Sequence, residues 1–282
     1  MRIFKYFHPD RIEVLESGKI RFTQPSDLND PFELKPNVKE ISSKENIVTL
    51  LMEAISEEKI IEYYMKSGLS GICDFSIFRK NFIENYTSNL PTAINVIDLL
   101  APKLKETLHF LFNKAIGILC LTQSNENLLM WAHYTNNHQG YVMEFEPNHP
   151  FFNQKKSGID ELRHLRHVNY ISTREMYTLS EIDDQQGANI FLAKSKEWSY
   201  EHEIRMLHSL NEADTVINEK IYLFNLPPLA IKNIYLGCRM LDEKRNKIID
   251  ILNNNHVYKH IALFQAEIDQ EYYRLNFKEI VR

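Results

Sequence analysis

Gly117-Ile118-Leu119-Cys120-Leu121-Thr122, then Asn127 to Tyr134, then Gly140-Tyr141-Val142-Met143-Glu144-Phe145 is the stretch that decides the fold. The first run is apolar throughout and of strand length, which predicts a buried strand; the last alternates in character and predicts another. Asn127 to Tyr134 has room for a short helix only. Upstream, Ile3 to Tyr6 and Ile20-Arg21-Phe22-Thr23 read as strands, separated by a helical turn or two from Pro9 to Leu15 that Gly18 stops. Downstream, Val168-Asn169-Tyr170-Ile171 and Ile204-Arg205-Met206-Leu207 read as strands and Asp184 to Lys196 as a helix. The tail gives a strand over Ile231 to Leu236, a turn at Gly237, an amphipathic helix over Asp242 to Leu252, and strands over His260 to Ala266 and Tyr272 to Phe277. These strands are mostly too close for βαβ crossovers. The expected class is therefore α+β, with a mixed, mainly antiparallel sheet rather than a doubly wound parallel one.

From Lys44 the apolar period becomes 3.6: Ile47, Leu50, Leu51, Ala54, Ile55, Ile61, Tyr64 and Met65 share a face, and helical pattern continues to about Ala115. Residues 44–115 are expected as a helical insertion within a single domain spanning 1–282, packed as a cap or side domain on the sheet. With 282 residues and 44% hydrophobic content, the chain can bury a real core. Its formal charge of −5 gives no net field for broad binding to nucleic acid or anionic lipid, though a local basic groove is compatible with it. Cys73, Cys120 and Cys238 lie far apart, outside any Cys-x-x-Cys pair, which argues against a disulfide framework and a thiolate zinc site and fits a reducing cytoplasm. The first residues lack the apolar stretch of a signal peptide, and no window reaches the ~20 apolar residues of a membrane span. Export and membrane insertion by these routes are not expected.

Three polar-aromatic clusters stand out: Leu28-Asn29-Asp30-Pro31-Phe32-Glu33, Trp131-Ala132-His133-Tyr134 with Gly140 after it, and Trp198-Ser199-Tyr200-Glu201-His202-Glu203-Ile204-Arg205. Each sets ionisable side chains beside large aromatics at a turn or strand edge, the composition that holds a polar ligand between apolar walls. Together and in this order they resemble the bacterial domain of unknown function 2971 family, which carries an Asn-Asp-Pro-Phe-Glu turn, a Met-Trp-(Ala/Ser)-His-Tyr segment and a Trp-x-x-Glu-x-Glu-x-Arg segment.

Glu201 and Glu203 are the sharpest pair. On an extended segment their carboxylates would share a face, roughly 7 Å apart between Cα atoms, with His202 turned away. A Glu-x-Glu leading into a strand looks like the catalytic segment of the ADP-ribosyltransferase superfamily. That resemblance implies that the second carboxylate binds the nicotinamide-ribose 2′-hydroxyl of NAD and favours an oxocarbenium-like transition state, while the first acts on the acceptor. It also implies an opening strand, helix and strand, with Lys5 or Tyr6 where the superfamily places a nucleotide-binding His or Arg. Arg205 can hold one carboxylate ionised; the plain alternative is a solvated strand edge with a Glu-Arg pair of little worth. Tyr134 offers a stacking surface and His133 an acid, base or donor, against the alternative that both simply pack under the sheet. Trp131 and Trp198 would wall the pocket. Asn29 and Asp30 either orient a ligand or build the turn, and Glu33 has no evident local duty. Lys194 and Lys196 could meet a phosphate, although such lysines usually end a helix in solvent. The pairs His133/His138 and His164/His167 have no third ligand nearby, so no metal is expected.

The first expectation is an ADP-ribosyltransferase-like enzyme that uses NAD as substrate and modifies a macromolecule (DNA, RNA or protein), in a toxin or phage-defence setting. Its rivals are a divalent-metal phosphodiesterase or nuclease built on Glu33, Glu201, Glu203 and His133, and a nucleotide- or peptide-binding module without turnover. All three share one requirement, that Glu33, Tyr134 and Glu203 surround one cleft.

Overall fold

A computed structural model describes residues 1–33 and 37–282, apart from the side chains of residues 184–186. The chain opens with β1 (Ile3–Phe7), α1 (Glu13–Ser17) and β2 (Lys19–Phe22), followed by β3 (Asn37–Glu40) and the helices α2 (Lys44–Glu53), α3 (Glu57–Lys66) and α4 (Phe75–Ala115). Next come β4 (Ile116–Thr122), α5 (Leu128–Tyr134), β5 (Tyr141–Phe145), β6 (Leu165–His167), β7 (Asn169–Ile171) and β8 (Met176–Thr178). Then α6 (Asp184–Asn189), β9 (Ala193–Ser195), β10 (Glu203–Ser209), β11 (Thr215–Ile217), β12 (Ile221–Asn225) and β13 (Ile231–Leu236) lead to α7 (Asp242–Asn254), β14 (Ala262–Ile268) and β15 (Leu275–Ile280). The architecture is α+β.

The chain divides into two compact units, one of Met1–Lys35, Leu111–Thr173 and Asp184–Arg282, the other of Pro36–Phe110 and Arg174–Asp183. Among the described residues, the first unit holds an eight-stranded sheet in the order β15-β14-β13-β5-β1-β4-β10-β6. Neighbours run antiparallel except β13 and β14, the one parallel pair, and α7 is the helix that connects them. The middle of the sheet is buried on both faces. Along β1 the two-residue alternation sends Ile3 and Phe7 into a large core with Leu119, Met143 and Met206, and sends Phe4 and Tyr6 into a smaller one with Trp131, Val142 and Tyr235. Double-sided burial explains why β4, β5 and β10 read as near-continuous apolar runs. The second unit holds the parallel pair β3–β8, with α2 and α3 capped by Ser43 and Ser56, whose hydroxyls accept the backbone N–H of Asn46 and Lys59.

The sequence pattern does not show β3, β6, β8, β9, β11 or β12, and two elements that it does show end elsewhere. The helix expected to reach Lys196 ends at Asn189, because Ala193–Ser195 pairs in parallel with β7 and buries Phe191 and Leu192 on the way. Tyr272, expected in a strand, lies in the turn between β14 and β15, where the Asp269 carboxylate accepts the backbone N–H groups of Glu271 and Tyr272.

Gly140 stands just before β5, where the backbone of β1 passes so closely that a Cβ would stand 2.0 Å from the Phe7 carbonyl oxygen. Gly140→Ala should therefore destabilise the fold by about 1–3 kcal/mol, the range for forced overpacking, read as a lowered urea midpoint with an unchanged m-value. An unaltered midpoint would contradict this packing.

Candidate functional site

The site begins with a split in the first unit's sheet. β1 and β4 share a single register pair, Phe4 with Thr122. Further along, β4 pairs instead with Thr23 just past β2, through two 2.8 Å bonds between the Thr23 and Ile118 backbones. The strands part, and a cavity of about 230 Å³ lies in the gap. Lys5 spans it, its Nζ donating to the Cys120 carbonyl at 3.0 Å, and the Tyr6 hydroxyl donates to the Ser124 carbonyl at 3.1 Å.

Carboxylates and cations from four segments meet at this cavity. Arg205 is fully buried on β10: its Nε donates to Glu203 Oε1 at 2.7 Å, one terminal nitrogen to Glu203 Oε2 at 3.0 Å and to Glu33 Oε2, and the other to the Phe191 carbonyl at 2.8 Å. Lys194 on β9 is 5% exposed and holds three carboxylates around one ammonium: Glu201 Oε2 at 2.5 Å, Glu203 Oε2 at 2.9 Å and Glu33 Oε1 at 3.1 Å. The Tyr134 hydroxyl donates to Glu201 Oε1 at 2.5 Å and accepts from Asn29 Nδ2 at 3.1 Å. The Tyr170 hydroxyl accepts the Glu203 backbone N–H at 2.8 Å.

Residues 130–206 match the family described as Protein of unknown function (DUF2971). That segment runs from α5 into β10 and supplies Tyr134, Lys194, Glu201, Glu203 and Arg205, while Lys5, Tyr6, Asn29 and Glu33 reach the same cavity from residues before it. No curated protein and no solved structure matches the chain.

The other candidates lie elsewhere. Trp131 is fully buried in the smaller core, with Nε1 donating to the Asn125 carbonyl at 2.7 Å, and it does not line the cavity. His133 is exposed, its Nδ1 3.4 Å from the Tyr200 hydroxyl. Asp30 builds the turn, accepting the Phe32 N–H at 2.9 Å. Trp198 is half-buried with the Lys194 ammonium 5.0 Å from its ring centre, a cation–π contact behind the network. Glu201 and Glu203 do not sit on one extended segment. Glu201 ends a 3₁₀ turn and His202 takes a left-handed conformation (φ 45°), so Lys194, rather than strand alternation, brings the two carboxylates together. The sequence pattern offers Lys194 either a phosphate or a solvated helix end and does not single out Tyr170 or Cys120. A strand after Leu192 would have turned Lys194 inward, and the short apolar run Ile190-Phe191-Leu192 was the available signal.

Electrostatics set the character of each group at the cavity. Burial would raise the Glu203 carboxyl, but Arg205 and Lys194 overcome it and hold it at about 2. Burial raises Glu33 above the ordinary carboxylate range despite Arg205 and Lys194. Lys194 is pushed up by its three carboxylates against the burial that would lower it, and Tyr134 is pushed up by burial and by Glu201. Glu203 is therefore a permanent anion at neutral pH, suited to electrostatic stabilisation and not to proton transfer.

A depressed native value places the contribution of Glu203 above its unfolded pKa of about 4.5 and removes it as pH falls towards about 2, a loss on the order of 3 kcal/mol. Glu33 works with the opposite sign, its raised value favouring the fold at acid pH. Urea unfolding between pH 6 and 2.5 should show stability falling with acid in the wild type and a flatter acid limb in Glu203→Gln; equal slopes would remove Glu203 from the acid response.

Proposed function

We propose that the cavity between β1 and β4 is an NAD-consuming, ADP-ribosyltransferase-like site whose product is a modified macromolecule, nucleic acid among the candidate acceptors, in a cytoplasmic toxin or phage-defence role. The observation that carries the reading is the convergence of Glu201, Glu203 and Tyr134 with Lys5 and Tyr6 of the opening strand on one cavity. At about 230 Å³ it is smaller than the ~300–1,000 Å³ that enclose a drug-sized ligand, so it would take the nicotinamide and adjoining ribose, with the rest of the dinucleotide outside. In this reading Tyr134 faces the ring. Glu203, a fixed anion in a dry wall, favours the positive charge that develops on the ribose as its bond to nicotinamide breaks. Glu201, tied to Tyr134 and Lys194, acts on the incoming acceptor.

One observation favours a second reading, a nucleotide- or peptide-binding pocket without turnover: every carboxylate oxygen of Glu201 and Glu203 already has a partner in Tyr134, Lys194 or Arg205. The metal-dependent phosphodiesterase reading gains nothing from the arrangement, since the Lys194 ammonium stands where three carboxylates would place a divalent ion.

Nicotinamide release from NAD, measured with protein, DNA and RNA acceptors present, separates these readings. The transferase reading expects release by the wild type, unchanged by a chelator, and a drop on the order of 100-fold in Glu203→Gln with NAD affinity largely kept. Glu201→Gln should reduce transfer more than cleavage, and melting curves identify any variant that has lost its fold. NAD binding without release would leave the binding module, and neither binding nor release would end the NAD reading.

A further inference from the structure

A second cavity, of about 410 Å³, lies in the first unit and shares no lining residue with the first. It is bounded by His138, Cys238 and Arg239 and by the turn from Ile268 to Leu275. α5 contributes to both cavities, with Met130 and Tyr134 at the first and Leu128 at the second.

The wall at His138 is strained. Asn136, Asn137 and His138 all have positive φ, 51°, 56° and 67°, a left-handed run that residues with a Cβ seldom adopt. Packing enforces it. Gly237 passes so close that a Cβ there would lie 2.1 Å from the His138 carbonyl oxygen, and the Arg239 N–H donates to that same oxygen at 3.0 Å. The His138 ring stacks parallel to Trp131, centroids 6.1 Å apart, and its Nδ1 is buried with no hydrogen-bond partner among the described residues.

The remaining lining narrows the chemistry. Asp269 is committed to Arg274, Asn276 and two backbone N–H groups, and Arg274 also covers the Tyr272 ring at 4.9 Å. Glu271 is exposed. Arg239 is exposed and its guanidinium makes no hydrogen bond or ion pair among the described residues, which leaves it as the uncommitted cation beside the cavity. Tyr273 is fully exposed, a bare aromatic face at the edge. Burial pushes the Cys238 thiol up, so it contributes a neutral, inert wall.

We propose that this cavity is a second site, one that binds a nucleoside monophosphate, with the phosphate on Arg239 and the base against Tyr273. The proposal stands apart from the NAD reading of the first cavity, because it needs neither turnover nor Glu201.

Calorimetric titration of the full chain with AMP, and separately with adenosine and inorganic phosphate, tests it. Saturable AMP binding is expected, tighter than either fragment, weakened at least about tenfold by Arg239→Gln and by Tyr273→Ala, and unchanged by Glu201→Gln. Both decisive positions are exposed, so these variants should melt as the wild type does. No saturable AMP binding overturns the proposal, as does binding indifferent to Arg239→Gln and Tyr273→Ala or lost with Glu201→Gln. Phosphate that binds as tightly as AMP would overturn the nucleotide assignment by showing an anion site alone.

Discussion

Arg205, with no exposed surface, is the constraint around which the site is organised. A guanidinium in the interior is costly unless its nitrogens are met, and here each of the three is, by Glu203, Glu33 and the Phe191 carbonyl. The three partners come from the strand itself, from the turn after Asn29 and from the chain leading into β9. Removing either kind of charge would leave the other stranded, so β10 fixes the turn at Glu33 and the approach to β9 at once. Lys194 repeats the device beside it, its ammonium shared by Glu33, Glu201 and Glu203.

This network could close on itself and have no outlet. The sheet gives it one. Had β1 continued to pair with β4 beyond Phe4 and Thr122, the carboxylates would face a sealed layer; instead Thr23 takes over the pairing at Ile118 and the gap exposes the network's edge. Preorganised charge at a strand split is an arrangement that binding and catalysis can both use, because the groups need not reorganise when a ligand arrives. α5 closes the gap from the other side: Tyr134 bonds Glu201, while Trp131, one turn earlier, packs between Tyr6 and His138.

How much of this was legible depended on the range of the interaction. Most strands of the sheet, the stop at Gly18 and the helix after Asn127 were readable because alternation, period and turn chemistry are local. Glu33, Tyr134, Glu201, Glu203 and Arg205 stood out because ionisable residues beside aromatics are unusual company for a core. Trp131 stood out for the same reason, and its hydrogen-bonded burial is the ordinary fate of an indole.

By itself, the sequence determined the α+β class, most of the elements, and the three segments whose residues meet at the cavity. Tertiary structure alone decided that Lys194 turns inward, that a left-handed His202 lets one ammonium gather Glu201 and Glu203, and that β4 changes partners to open a cleft. The reason is physical. Periodicity records which face of an element is buried, whereas the meeting of three carboxylates and two cations depends on strand register and on pairs up to 172 residues apart, where no local pattern in the chain carries the cost of leaving a charge unpaired.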